Sequence, residues 1–269
     1  MAPASRLSED APPAVQALVA SLYPAGNVEV VFHPQCFFSH GHFAGSEAQR
    51  ADSFVEVAND PDFDALWYAR GGYGSGRLIE AVLPRLTPPA REKAYLGYSD
   101  AGAMLSALYG AGFRHAAHGP MTHEIARDGG EAAIARALAW LVRRSPAALE
   151  PSVASGGRTI AFNMAILSSL IGTPWLPDLS GHVLMLEEVS EHLYAIDRMF
   201  FHLAEAPTIR KVAGIRLGRC SAVPPNDPEF GQTAEEIARY WCERSGIAYL
   251  GGADIGHDAG NKVVPFGGL

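Results

Sequence analysis

Apolar positions along the first half of the chain change period several times. In "APPAVQALVASLYPAG" they fall at Val15, Leu18, Val19 and Leu22, the spacing of one helix face, and Pro-Ala-Gly ends the run. "NVEVVFHP" then alternates β-branched and polar residues, which predicts a strand. "GSEAQRADSFVEVANDP" returns to helical spacing, with Ser46 as the cap and Gln49 three residues on to close a capping box. "FDALWYARGGYGSG" predicts a strand running into a glycine-rich turn. "GRLIEAVLPRL" predicts a short helix, "KAYLGYSD" a strand and "DAGAMLSALYG" a helix. This rhythm predicts an α/β chain, a parallel sheet with helices on both faces. In such sheets ligands sit beyond the carboxyl ends of the strands, where Gly71, Gly72 and Ser99 all fall.

"EAAIARALAWLVRR" is amphipathic with a helical period, and "SPAALEPSVASGGRT" after it loses all periodicity. We therefore expect two lobes: an N-terminal domain over 1–145, a linker over 146–160 and a smaller C-terminal α/β domain over 161–269. In the second lobe "FNMAILSSLIGTPWLPDL" reads as a helix or apolar turn. "GHVLMLEEV" and "KVAGIRLGRC" read as strands, and "YAIDRMFFHLAEA" and "TAEEIARYWCERSG" as helices. Final strands fall around "IAYLGGADIG" and "NKVVPFGG".

Composition narrows the class. The chain has 269 residues, 48% of them hydrophobic, enough for a sizeable core. Its 21 basic and 29 acidic residues give a formal net charge of −8, which argues against a nucleic-acid partner. Cys36, Cys220 and Cys242 are far apart and odd in number, with no CxxC, a pattern that suits a reducing compartment. The start, "MAPASRLSEDAPPAV", has no signal-peptide pattern, and apolar runs such as "MAILSSLIG" are too short to span a bilayer. A cytoplasmic protein with no membrane partner is expected.

Four features could carry chemistry. "GYSDA" places Ser99 between a strand and a helix and nearly fits the nucleophile elbow G-x-S-x-G, with Ala101 at the last position. A plain helix cap fits the same residues. "ARGGYGSGR" lacks the Lys-Ser/Thr of a phosphate loop and the G-x-G-x-x-G spacing; it is either a tight turn or a backbone N–H donor to an oxyanion. Glu187 and Glu188 lie at a strand end, where only one of the two can face a given site. His257, between glycines in "GADIGHDAGN", suits a general base, with His118 in "AAHGPM" as its rival. His40 and His42 give only a loose hint of a metal, and no HExxH occurs.

Taken together, "ARGGYGSGRL", "YLGYSDAGAML", "HGPM", "GTPWLPDLSGHVLMLEEVSEHLYAIDRM", "VAGIRLG" and "GHDAGNKVVPFG" resemble the LD-carboxypeptidase family of serine peptidases, which also contains the microcin C immunity peptidases. The segments run in the family's order over nearly the whole chain. The resemblance implies a Ser99–Glu187–His257 triad. The oxyanion would be held by backbone N–H groups of Asp100 and of Gly71 or Gly72. It implies two lobes meeting at the site, no cofactor or metal, and a homodimer. The family's main substrate is a murein tetrapeptide of peptidoglycan recycling, from which the terminal D-alanine is removed. That substrate is anionic, which makes Arg70 and Arg77 candidates for binding it; a surface ion pair is the competing role of Arg77. Family members usually begin with an apolar strand before a segment like "APAS" and tend to continue beyond "VVPFGGL" for one more piece of sheet, so the first strand is expected to be missing or very short here and that last piece to be lacking. The alternatives are an immunity-type peptidase cutting a peptidyl-nucleotide antibiotic, a non-catalytic two-lobed binding protein, and a phosphate-binding enzyme using the "RGGYG" turn. The first needs an aromatic or extended loop to stack the nucleobase, and Trp175 reads as core instead.

Overall fold

The computed structural model describes residues 1–269. In chain order it holds α1 (Ala11–Leu22), α2 (Glu47–Asn59), β1 (Ala65–Trp67), α3 (Ile79–Val82), α4 (Pro88–Glu92), β2 (Ala94–Gly97), α5 (Ala101–Gly110), β3 (Ala116–His118) and α6 (Gly130–Arg143). The second half holds β4 (Arg158–Asn163), α7 (Met164–Leu170), β5 (His182–Val189), α8 (Leu193–Glu205), β6 (Gly214–Ser221), α9 (Ala234–Ser245), β7 (Tyr249–Gly252) and β8 (Val264–Pro265). The strands form two four-stranded sheets, β1-β2-β3-β8 and β4-β5-β6-β7. All neighbours are parallel except β8, which runs antiparallel to β3. This is the expected two-lobed α/β architecture, with one addition: β8 comes from the second half of the sequence and completes the first sheet.

Helix ends follow their local chemistry. Ser46 and Gln49 make the full capping box of α2, and Thr233 with Glu236 makes a second one on α9. Each satisfies two N–H groups that a helix start otherwise leaves open. The core spans both sheets. Phe54, Tyr95 and Met104 of the first half pack in one continuous cluster with Phe162, Leu186 and Phe200 of the second. Opposite them, Trp67, Leu96 and Leu138 share a second cluster with Met185, Ile255 and Val263. Helices on both faces are what buried parallel strands require.

Two expected elements differ. "NVEVVFHP" joins no sheet, and its last residue, Pro34, opens a 3-10 turn over Pro34–Phe37. A cavity of about 890 Å³, lined by Val28, Val30 and Phe32 on one side and Leu66 and Trp67 on the other, separates it from β1. Alternation earns a strand only when a neighbour lies within backbone hydrogen-bond reach. Within the expected linker, short 3-10 turns cover Pro146–Ala148 and Pro151–Ser155, and β4 begins at Arg158. Cys36, Cys220 and Cys242 are free thiols. No helix is long and apolar enough to cross a membrane.

Candidate active site

Ser99 follows the last residue of β2 by two and has φ +57°, the left-handed backbone of a sharp turn into α5. The elbow is tight. A Cβ on Gly97 would stand 2.9 Å from the Tyr68 ring and 3.0 Å from the Ala101 Cβ, so both flanking positions must stay small. Ser99 is half-buried. The glycine turn after β1 lies against it: a Cβ on Gly71 would stand 3.6 Å from Ser99 Oγ. The N–H groups of Gly71, Gly72 and Asp100 donate no hydrogen bond within the protein. They are available to an anion.

The alternation of β5 separates the two glutamates. Glu187 Oε2 accepts a hydrogen bond from His257 Nδ1 at 2.5 Å; the Glu187 side chain is fully buried and that of His257 is 10% exposed. Glu188 points the other way. Its carboxylate accepts from Asn163 Nδ2 at 2.6 Å and from the N–H groups of Ala165 and Val189, both at 2.9 Å. Burial pushes the Glu188 carboxyl up, and these bonds hold it back.

His257 sits on the loop between β7 and β8, which is fastened from several sides. Arg127 Nη1 donates to the His257 carbonyl at 2.6 Å, and Arg136 Nη1 donates to the carbonyls of Ala259 and Asn261, each at 2.8 Å. Arg219 of β6 bridges Asp254 and Asp258 on either side of the histidine. The Tyr98 ring lies 4.9 Å from the imidazole, centroid to centroid, and its hydroxyl donates to the buried Glu124. The structure thus brings Glu187 and His257 into contact and sets Tyr98, next to Ser99, against the same imidazole. Ser99 Oγ makes no hydrogen bond to His257.

The rival histidine has another task. His118 is buried, and its Nε2 pairs with Asn261 Oδ1 at 3.0 Å. Burial pushes its pKa down. His123, unremarked in the sequence, lies beside the site; burial first, then the charges of Arg127 and Arg70, lower its pKa to about 3. Arg70 is exposed and donates to the Arg6 carbonyl at 3.0 Å. Arg77 is paired with Glu47 on the first turn of α2. Trp175 packs against the core, with its carbonyl held by Ser106 Oγ.

Residues 1–119 match the LD-carboxypeptidase N-terminal domain, and residues 156–269 match the LD-carboxypeptidase C-terminal domain. A protein of Synechocystis sp. named as a carboxypeptidase is 31% identical over 246 residues, 89% of this chain and 79% of that one. The chain belongs to the LD-carboxypeptidase family. Its fold matches the crystal structure of muramoyltetrapeptide carboxypeptidase from Oxalobacter formigenes with a TM-score of 0.77 and 24% identity, over 99% of this chain and 92% of that one. The wild-type unliganded microcin C7 self-immunity protein MccF superposes with a TM-score of 0.80 and 18% identity, over 99% of this chain and 90% of that one. Membership of this family makes a peptide-hydrolysing enzyme the supported class.

Proposed function

We propose that this chain is a serine carboxypeptidase that removes the terminal D-alanine from an L,D-linked murein tetrapeptide, with Ser99, Glu187 and His257 as its triad. The observation that carries the reading is the buried Glu187–His257 pair at 2.5 Å, beside a serine held at positive φ on a strand-to-helix turn. With Nδ1 committed to Glu187, the imidazole keeps Nε2 for proton transfer. Ser99 Oγ attacks the carbonyl carbon of the diaminopimelate residue as its proton passes to His257. Glu187 stabilises the imidazolium that forms. The N–H groups of Asp100 and of Gly71 or Gly72 receive the oxyanion, each worth about 3–4 kcal/mol in the transition state. The imidazolium then protonates the departing D-alanine amine, and water, activated by the same histidine, frees the acyl-enzyme.

On this reading residues 1–145 carry the nucleophile and 161–269 the acid and base, joined through 146–160, so the site lies where the two sheets meet. Arg70, exposed beside the turn, would hold an anionic group of the peptide. A cytoplasmic homodimer belongs to the same reading and rests on the family resemblance alone. The test is mass spectrometry of L-Ala–γ-D-Glu–meso-diaminopimelate–D-Ala incubated with the wild type and with Ser99→Ala. Loss of one alanine with the wild type only is expected. Loss with both proteins would remove Ser99 as nucleophile. No loss, together with cleavage of a peptidyl-adenylate mimic, would replace this substrate by the immunity type.

A further inference from the structure

An aspartate at the start of a helix ordinarily caps it, accepting a bond from an N–H of the first turn. Asp100 stands at that position of α5, yet its side chain accepts no bond from the helix. It reaches across to the glycine turn instead. Oδ1 accepts the N–H of Gly74 at 3.0 Å and Oδ2 the N–H of Ser75 at 2.9 Å. The Ser75 hydroxyl returns a bond to the Asp100 carbonyl. Asp100 is 3% exposed and Ser75 fully buried.

The other face of the turn is held as well. The Gly74 carbonyl accepts from Arg50 Nη1 at 3.1 Å, and the same nitrogen donates to the Pro3 carbonyl at 2.5 Å. Gly74 has φ +136°, and a Cβ there would meet the Phe43 ring at 2.8 Å, so this conformation admits only glycine. Between Gly71 and Gly74 the turn has few other anchors. Gly72 and Tyr73 are exposed, and their N–H groups bond to nothing in the chain.

We propose that the Asp100 side chain is a positioning residue for the oxyanion site. Its backbone N–H is one donor, and its carboxylate fixes the turn that carries the other. The Asp100 carboxylate on one face and Arg50 on the other then fix the separation of the two donors before any substrate arrives. This rests on the reading of Ser99 as nucleophile. A carboxylate so near a developing oxyanion would repel it if its charge were free; here burial pushes the Asp100 carboxyl up, the N–H groups of Ser75 and Gly74 hold it back, and the Arg50 guanidinium acts on it only through its field.

The experiment uses a fluorophosphonate probe, which reports acylation of an activated serine without assuming the natural peptide. Wild type, Ser99→Ala, Asp100→Asn and Ser75→Ala are labelled over time. Melting curves confirm folding, and calorimetry measures binding of the intact tetrapeptide to Ser99→Ala with and without Asp100→Asn. In Asp100→Asn one face of the amide presents N–H to an N–H, which releases one strand of the turn. Labelling is expected to slow about 100-fold, the scale of one lost oxyanion donor, while tetrapeptide binding changes less than about three-fold. Ser75→Ala, which removes only the hydroxyl bond, is expected to slow labelling about five-fold, a fraction of that loss, and it serves as the test if Asp100→Asn fails to fold. Wild-type labelling rates in both variants would overturn the proposal. Equal losses of labelling and of tetrapeptide binding would also overturn it, reducing Asp100 to general support. Labelling of Ser99→Ala at the wild-type rate would instead overturn the nucleophile reading.

Discussion

Glu187 and Glu188 are adjacent carboxylates with opposite surroundings, and substituting each by Gln separates catalysis from stability. In Glu187→Gln the amide oxygen can still accept from His257 Nδ1, so shape and one hydrogen bond survive. The negative charge does not. Two unit charges about 4 Å apart at an effective dielectric constant of about 20 interact by roughly 4 kcal/mol. That interaction exists only when the imidazole is protonated, in the transition state, so kcat should fall about 10³-fold. Stability should change by less than about 1 kcal/mol, because the amide keeps the bond from His257 Nδ1 and Glu187 Oε1 already lacks a partner in the fold. Glu188→Gln should behave in reverse. Its carboxylate holds Asn163 and two backbone N–H groups where α7 leaves β4. Turning one oxygen into a donor should cost about 2–3 kcal/mol of stability and leave kcat within a few-fold. D-alanine release gives kcat, and urea unfolding gives the stability. A Glu187→Gln enzyme within ten-fold of wild type, or a kcat loss at Glu188 instead, would refute the division of the two faces.

Arg70→Ala should raise KM for the tetrapeptide about ten-fold with little change in kcat, the pattern of lost uniform binding. Arg77→Ala should alter neither by more than about two-fold, since its charge is spent on Glu47 at an exposed pair; steady-state kinetics of both variants decide. His123 sets a pH dependence. Its folded pKa of about 3 lies below the ordinary histidine value, so between about 3 and 6.5 the unfolded chain binds a proton that the folded chain does not. Stability contributed by neutral His123 is whole above about pH 6.5 and falls by about 1.4 kcal/mol per unit as pH drops toward 3. Urea midpoints at several pH values should show a shallower acid limb for His123→Gln; parallel limbs would reject the assignment.

Much of the site was legible because its chemistry is local. The small residues around Ser99 announced a tight elbow, and the collisions at Gly97 show why they are needed. Alternation along "LMLEEV" already required Glu187 and Glu188 to face apart. Partners distant in sequence stayed hidden. "NVEVVFHP" has the right pattern for a strand, but pairing depends on what lies beside it. "RTIAFN" was masked by the Pro-, Ser- and Gly-rich run before it. Nothing in "GYSDA" says that the aspartate carboxylate ignores its own helix for a turn about 25 residues upstream; the signal, had it been sought, was an acid beside a glycine turn rich in unpaired N–H groups.

The return of β8 to the first sheet has a consequence for the order in which activity appears. During synthesis the early part of a chain folds first, but here β3 must wait for its antiparallel neighbour. Phe266 N–H closes on the Ala116 carbonyl, and Gly267 N–H on that of Thr159, tying both halves together at one seam. The loop that offers His257 hangs between β7 and this seam. A nascent chain can therefore shape its serine elbow well before it can anchor the loop that carries His257. On the proposed mechanism, hydrolytic power would then arrive in a single late event, well after the half-buried Ser99 has taken its place on the elbow.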